Sequence, residues 1–116
     1  MQYRSVFRAG LFEGQSIVVT GGGSGIGRCT AHELAALGAK VALVGRKPEK
    51  LEAVQREIAA AGSGATIHAC DIRDEEQVCA MVDAVLATHG RIDGLVNNAG
   101  GQFPSPLRDI SLKGWE

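Results

Sequence analysis

Short apolar runs alternate with stretches whose apolar residues recur every three or four positions, and this alternation organises most of the chain. Ser16-Ile17-Val18-Val19-Thr20 is β-branched at its centre and ends in glycines, the composition of a buried strand. Ile26, Leu34 and Leu37 follow among alanines, and Gly38 closes that helical segment. Lys40-Val41-Ala42-Leu43-Val44 predicts a second buried strand. Pro48 suits the first turn of a second helix, with Leu51, Val54 and Ile58 on one face and Ala61-Gly62-Ser63-Gly64 at its end. Ala65 to Ala69 predicts a third strand. Asp74 with Gln77 reads as a capping box with Asp in place of Ser or Thr. It opens a third helix carrying Val78, Met81, Val82, Val85 and Leu86, which Gly90 ends. Ile92 to Val96 predicts a fourth strand, and the segment from Gln102 onward reads as a loop leading to a helix that Ser111 would cap.

Strands alternating with helices predict a parallel sheet with helices on both faces. Right-handed crossovers then place the strands in the order 3-2-1-4. The fold class is α/β, the N-terminal part of a Rossmann-type doubly wound sheet. Residues 1–13 read as a lead segment and residues 14–116 as one partial nucleotide-binding domain. The fourth strand would be an edge, and Gly94-Leu95-Val96 an apolar one, which is an aggregation hazard unless another chain covers it.

Composition narrows the function. Hydrophobic residues make up 45% and charged residues 22% of the 116, as in a soluble globular protein. Glycine is abundant at 16 against 3 prolines, which points to tight turns between regular elements rather than to a linker. The net charge of −1 leaves no electrostatic footprint for nucleic acid, so any anion site must be local. No apolar run approaches the roughly 20 residues of a membrane helix. The expected location is cytoplasmic; two arginines and a serine without acid in the first eight residues leave a cleaved organelle presequence as the alternative. Cys29, Cys70 and Cys79 lack Cys-x-x-Cys spacing and read as reduced thiols filling small core positions. His32, His68 and His89 share no ligand spacing, and no metal is expected.

The chemistry concentrates after the first strand. Thr20-Gly21-Gly22-Gly23-Ser24-Gly25-Ile26-Gly27 lies between a strand and a helix, with a second strand beyond, which is the context of a dinucleotide-binding turn. Gly21 would allow the tight turn, Gly25 the approach of a pyrophosphate, and Gly27 close packing of helix on strand. Gly23 belongs to the same loop, Ser24 adds a hydroxyl donor, and the helix N-terminus supplies free N–H groups. A βα turn without a ligand is the plainer alternative. At the end of the second strand, where an acid would take the ribose hydroxyls of NAD, the sequence reads Arg46-Lys47. Two cations ahead of a helix N-terminus oppose its dipole unless an anion lies between them, which favours NADP. Asp71, just past the third strand, is placed either to accept from an adenine amino group or to cap a helix. Asn97-Asn98-Ala99-Gly100 is either a turn or a ligand contact.

These motifs together resemble the short-chain dehydrogenase/reductase family from about Gly14 onward. The resemblance implies that Gly21, Ser24, Ile26, Arg46, Asp71 and Asn98 line the cofactor site, that Asn97 ties the fourth strand to its neighbours, and that Gly100 lies near the nicotinamide ribose. Asn97 to Pro106 with Lys113-Gly114-Trp115 is most similar to the trans-2-enoyl-CoA and 2,4-dienoyl-CoA reductase branch, which uses NADPH. The expected function is NADPH-linked reduction of an enoyl-CoA or carbonyl substrate in a full-length enzyme. The small-molecule substrate would then include acyl-CoA candidates, and the full-length enzyme would form a homo-oligomer. An NADP-dependent alcohol dehydrogenase and a non-catalytic dinucleotide-binding module are the alternatives; a methyltransferase fits less well, because Arg46 stands where an acid would hold its cofactor's ribose. The family's Tyr-x-x-x-Lys acid–base motif has no counterpart here, since Tyr3 is the sole tyrosine and has no lysine four residues on. No residue is therefore assigned a catalytic role, and the chain alone is expected to be an inactive fragment.

Overall fold

The computed structural model describes residues 3–100 and 105–115. The elements run β1 (Ser16–Thr20), α1 (Gly25–Ala36), β2 (Lys40–Gly45), α2 (Pro48–Ala60), β3 (Ala65–Ala69), α3 (Glu75–His89) and β4 (Gly94–Val96). A 3-10 turn at Leu107–Asp109 and a short α4 (Leu112–Trp115) follow, with the Ser111 hydroxyl accepting from Gly114 N at 3.2 Å as a cap. All strand pairs are parallel, in the expected order β3-β2-β1-β4.

Side-chain alternation divides the core into two layers. Ile17 and Val19 of β1 with Val41 and Leu43 of β2 face α1 and α2, where Ala31, Ala35, Leu51, Val54 and Ile58 bury against them. Fully burying each large aliphatic residue there contributes roughly 1.5–3 kcal/mol. Val18, Ala42 and Val44 face α3 and meet Cys70, Met81 and Val85. This second layer is smaller: Leu95 of β4 projects on the same side as its partner Val18, yet is 56% exposed. Leu86 of α3 is also exposed.

Several residues depart from the sequence reading. Ile26 is 78% exposed and does not belong to the apolar face of α1; His32 is buried there beside Ala31 and Ala35, and its ring stacks on Tyr3 with centroids 5.8 Å apart. Cys70 alone of the three cysteines is buried, because Cys29 and Cys79 lie on the outer faces of their helices. β4 begins at Gly94 rather than Ile92. Ser16 N donates to the Asp93 carboxylate at 2.8 Å, so a side chain stands where a ladder carbonyl would be, while Asp93 N donates to Ser16 O at 2.8 Å.

The capping box at α3 is also rearranged. The Asp74 carboxylate accepts from Glu76 N and Gln77 N as expected, but Gln77 Oε1 accepts from Asp71 N at 2.8 Å instead of reaching Asp74 N. Asp74 N donates to Asp71 O at 3.0 Å. The cap therefore also fixes the backbone of Asp71.

Candidate functional site

The carboxyl ends of β1, β2 and β3 open into a cleft of about 960 Å³. Its floor is the turn after β1. Gly21 has φ +66°, and a Cβ there would lie 2.7 Å from Asn98 Nδ2, so the turn admits only glycine. α1 begins already at Gly25, which leaves a shorter loop than the glycine run indicates. A Cβ at Gly25 would meet nothing within 4 Å, so the backbone there faces open space. Gly27 is buried beneath the loop and is not on the cleft wall; a Cβ there would collide with the Gly21 carbonyl. Its smallness lets the first turn of α1 fold against the β1 turn, rather than helix against strand.

Ser24 is the N-cap of α1 in extended conformation, yet its hydroxyl makes no capping bond. A serine at this position ordinarily satisfies one of the free N–H groups of the first helical turn. Here both the hydroxyl and those N–H groups remain available at the cleft, beside a helix with no acid in its first turn.

The cleft also collects the other residues singled out from sequence: Gly21, Gly23, Ile26, Arg46, Lys47, Asp71, Asn98 and Gly100 all line it. Arg46 and Lys47 are exposed, and among the described residues neither is in an ion pair. Lys50, one turn into α2, adds a third cation to the wall that sequence reasoning did not single out; its place in the first turn after Pro48 was the available signal. The exposed Ile26 forms an apolar lip.

Asp71 sits opposite with Arg73. The Arg73 guanidinium and backbone N–H, both donating to the Asp71 carboxylate, hold it at a pKa of about 2, with Arg46 adding a smaller effect. Burial pushes the neighbouring Cys70 thiol up, and the charges of Asp71 and Asp74 add to this, so it is not an activated nucleophile.

Asn97 is exposed, and among the described residues its side chain makes no hydrogen bond, so it does not supply the side-chain tie between β4 and its neighbours. Thr20 makes it: its hydroxyl accepts from Asn98 N and Ala99 N, both at 3.0 Å, and donates to Val96 O at 3.2 Å. Asn98 Nδ2 donates to Gly21 O at 3.3 Å, binding the β4 turn to the β1 turn. Neither link is visible in sequence, since each joins positions far apart in the chain. Residues 101–104, which carry part of the subgroup resemblance, lie outside the described residues.

The short chain dehydrogenase family model matches residues 15–116. Among solved structures, the citronellol catabolism dehydrogenase of Pseudomonas aeruginosa PAO1 is 64% identical with a TM-score of 0.85, covering 97% of this chain and 46% of that one. A metagenomic short-chain oxidoreductase in complex with NADP is 50% identical with a TM-score of 0.79, over 90% of this chain and 48% of that one. A 2,5-dichloro-2,5-cyclohexadiene-1,4-diol dehydrogenase of Sphingobium indicum is 48% identical over 86% of this chain and 39% of its own length. A probable 2,4-dienoyl-CoA reductase of Bacillus subtilis is 33% identical over 90% and 41%. The chain thus spans about two-fifths of the length of these curated relatives. With a glycine turn, a β3-β2-β1-β4 sheet and a matched segment that takes in every element from β1 onward, the chain belongs to the short-chain dehydrogenase family.

Proposed function

We propose that this chain is the cofactor-holding part of an NADP(H)-dependent oxidoreductase, with the cleft at the carboxyl edge as the dinucleotide site. The observation that carries the reading is the end of β2, where Arg46 and Lys47 face the cleft without an ion-pair partner among the described residues. A guanidinium fork matches a phosphate, and the cations ahead of α2 are unfavourable against its dipole until an anion sits between them. The NADP complex of the 50%-identical relative supports the same choice.

In this reading the N–H groups at the start of α1 and the Ser24 hydroxyl hold the pyrophosphate, and Arg46 with Lys47 holds the 2′-phosphate. Asp71 accepts from the adenine amino group, and Gly23 and Ile26 flank the adenosine half. Asn98 and Gly100 border the ribose on the nicotinamide side. When bound, the cofactor supplies or takes up a hydride. The chain's own residues orient it, and none of them carries the family's acid–base role.

An alcohol–carbonyl pair is the preferred substrate class, because the citronellol catabolism dehydrogenase is 64% identical while the probable dienoyl-CoA reductase is 33% identical. Reduction of an acyl-CoA is the second reading, carried by the resemblance of the Asn97 to Pro106 segment. Homo-oligomer formation by the full-length enzyme belongs to the same proposal.

The test is calorimetric titration of the chain with NADPH and NADH, beside Arg46→Ala. NADPH should bind the tighter of the two, and the variant should lose about tenfold in NADPH affinity with little change for NADH, the scale of a charge-assisted phosphate contact. A folded chain that prefers NADH would refute the choice of cofactor.

A further inference from the structure

The cleft that would take the anionic ligand also holds an acid, Asp71, and this inference rests on the NADP(H) reading above. Asp71 and Arg46 line the same cleft, and the positive charge of Arg46 acts on the Asp71 carboxylate. An unoccupied carboxylate beside a guanidinium competes with a phosphate for it, because Arg pairs bidentately with either. In the structure this carboxylate is taken up by Arg73. Asp71 Oδ1 accepts from Arg73 N at 3.0 Å and from Arg73 Nε at 3.1 Å, and Oδ2 accepts from Arg73 Nη2 at 2.9 Å.

A carboxylate offers about four lone-pair sites. Three of Asp71's are taken by Arg73, and the one that remains is on Oδ2. That leaves room for a single donor, such as an amino group, but not for a second bidentate guanidinium. The charge of Asp71 is also offset locally, so it repels an approaching phosphate less.

We propose that Arg73 is a specificity-determining residue for the 2′-phosphate, acting through Asp71: by occupying that carboxylate it keeps Arg46 open to the ligand. Arg73 itself need not touch the phosphate. Its side chain is 62% exposed, and the bond from its backbone N–H to Asp71 does not depend on the side chain. The main-chain geometry of Asp71 is further held by Gln77 and Asp74, so Arg73 variants keep the turn.

The experiment titrates the wild-type chain, Arg73→Ala and Arg73→Ala/Asp71→Asn with NADPH and with NADH, following folding by circular dichroism. Arg73→Ala should weaken NADPH by roughly three- to fivefold, the scale of an exposed ion-pair coupling, while NADH stays within about twofold. Adding Asp71→Asn removes the competing charge and should return the NADPH-to-NADH ratio to that of the wild type, even though a neutral acceptor for the adenine amino group weakens both nucleotides alike. An unchanged ratio in Arg73→Ala would overturn the inference. Equal weakening of both nucleotides in that variant, or no recovery in the double variant, would overturn it as well. A wild-type chain that binds neither nucleotide, or shows no preference, refutes the cofactor reading itself. That result appears in the wild-type titration, before any variant is compared, and the inference falls with it.

Discussion

Polar groups cluster at both edges of the sheet, where the same strands begin and end, and the two edges use them in opposite ways. At the amino edge they satisfy one another. Ser16 Oγ lies 2.7 Å from His89 Nδ1, and Thr66 Oγ1 lies 2.9 Å from both His89 Nε2 and His68 Nε2. Thr66 has one proton to give, so it donates to one imidazole and accepts from the other. The Asp93 carboxylate takes the N–H of Ser16, and Arg91 pairs with the same carboxylate. At the carboxyl edge the polar groups are left facing outward: the Ser24 hydroxyl, the first N–H groups of α1, and the cations Arg46, Lys47 and Lys50. Closed polar networks hold a fold together, whereas open and convergent ones await a ligand. The contrast supports the site proposed at the carboxyl edge independently of any motif.

The largest expected effect comes from breaking the carboxyl edge at Gly27. Gly27→Ala drives a Cβ into the Gly21 carbonyl, and backbone cannot yield as a side-chain tip would. Thermal unfolding should show a loss of about 2–3 kcal/mol, and nucleotide binding should disappear with the turn. A variant with wild-type stability would show that the α1 start is not locked against the β1 turn.

A smaller effect is expected at the opposite edge. Ser16→Ala leaves His89 Nδ1 without its partner in a half-buried position and should cost about 1 kcal/mol in denaturant unfolding. Nucleotide affinity should not change, because neither Ser16 nor His89 lines the cleft. A change in affinity would mean that the two edges are coupled.

The smallest effect is one of pH. Burial holds His89 below the ordinary histidine value, with the charge of Lys40 adding to it, and burial with the charge of His89 does the same to His68. Of the groups around the pair, Ser16 and Thr66 do not titrate, Lys40 is cationic, and Asp93 is held ionised chiefly by the Ser16 N–H. A depressed folded-state value means that the unfolded chain takes up protons first. The contribution is therefore complete above about pH 6.5 and is lost as pH falls through the lower folded values. Urea midpoints should fall below that pH, and replacing His89 by Gln should flatten the decline. A midpoint that rises on acidification would reverse the sign of this argument.

These contrasts also explain what the sequence discloses. β1 and β2 are legible because their runs are continuously apolar, as burial on both faces requires, and the strand order then follows from the handedness of the crossovers. The glycine turn, Arg46 and Asp71 are legible because their chemistry is local to one strand end each. The amino-edge network is not: Ser16 and His89 are 73 positions apart and neither residue type announces the other. Thr20 looks like the last residue of a strand, and only the arrival of β4 beside β1 gives its hydroxyl three partners. Ile26 fits a helical apolar face by spacing, but the helix has only begun there and its face turns to the cleft.

The central claim is that the open polar edge, and not the closed one, holds the dinucleotide. Its most direct test is an amide chemical-shift titration of the isotope-labelled chain with NADPH. The account predicts saturable shifts at Gly21 to Gly27, at Arg46 and Lys47, and at Asp71 and Ile72, with Ser16, Thr66, His68 and His89 unmoved. Saturable shifts centred on the amino edge, or none at the glycine turn of a folded chain, would contradict it.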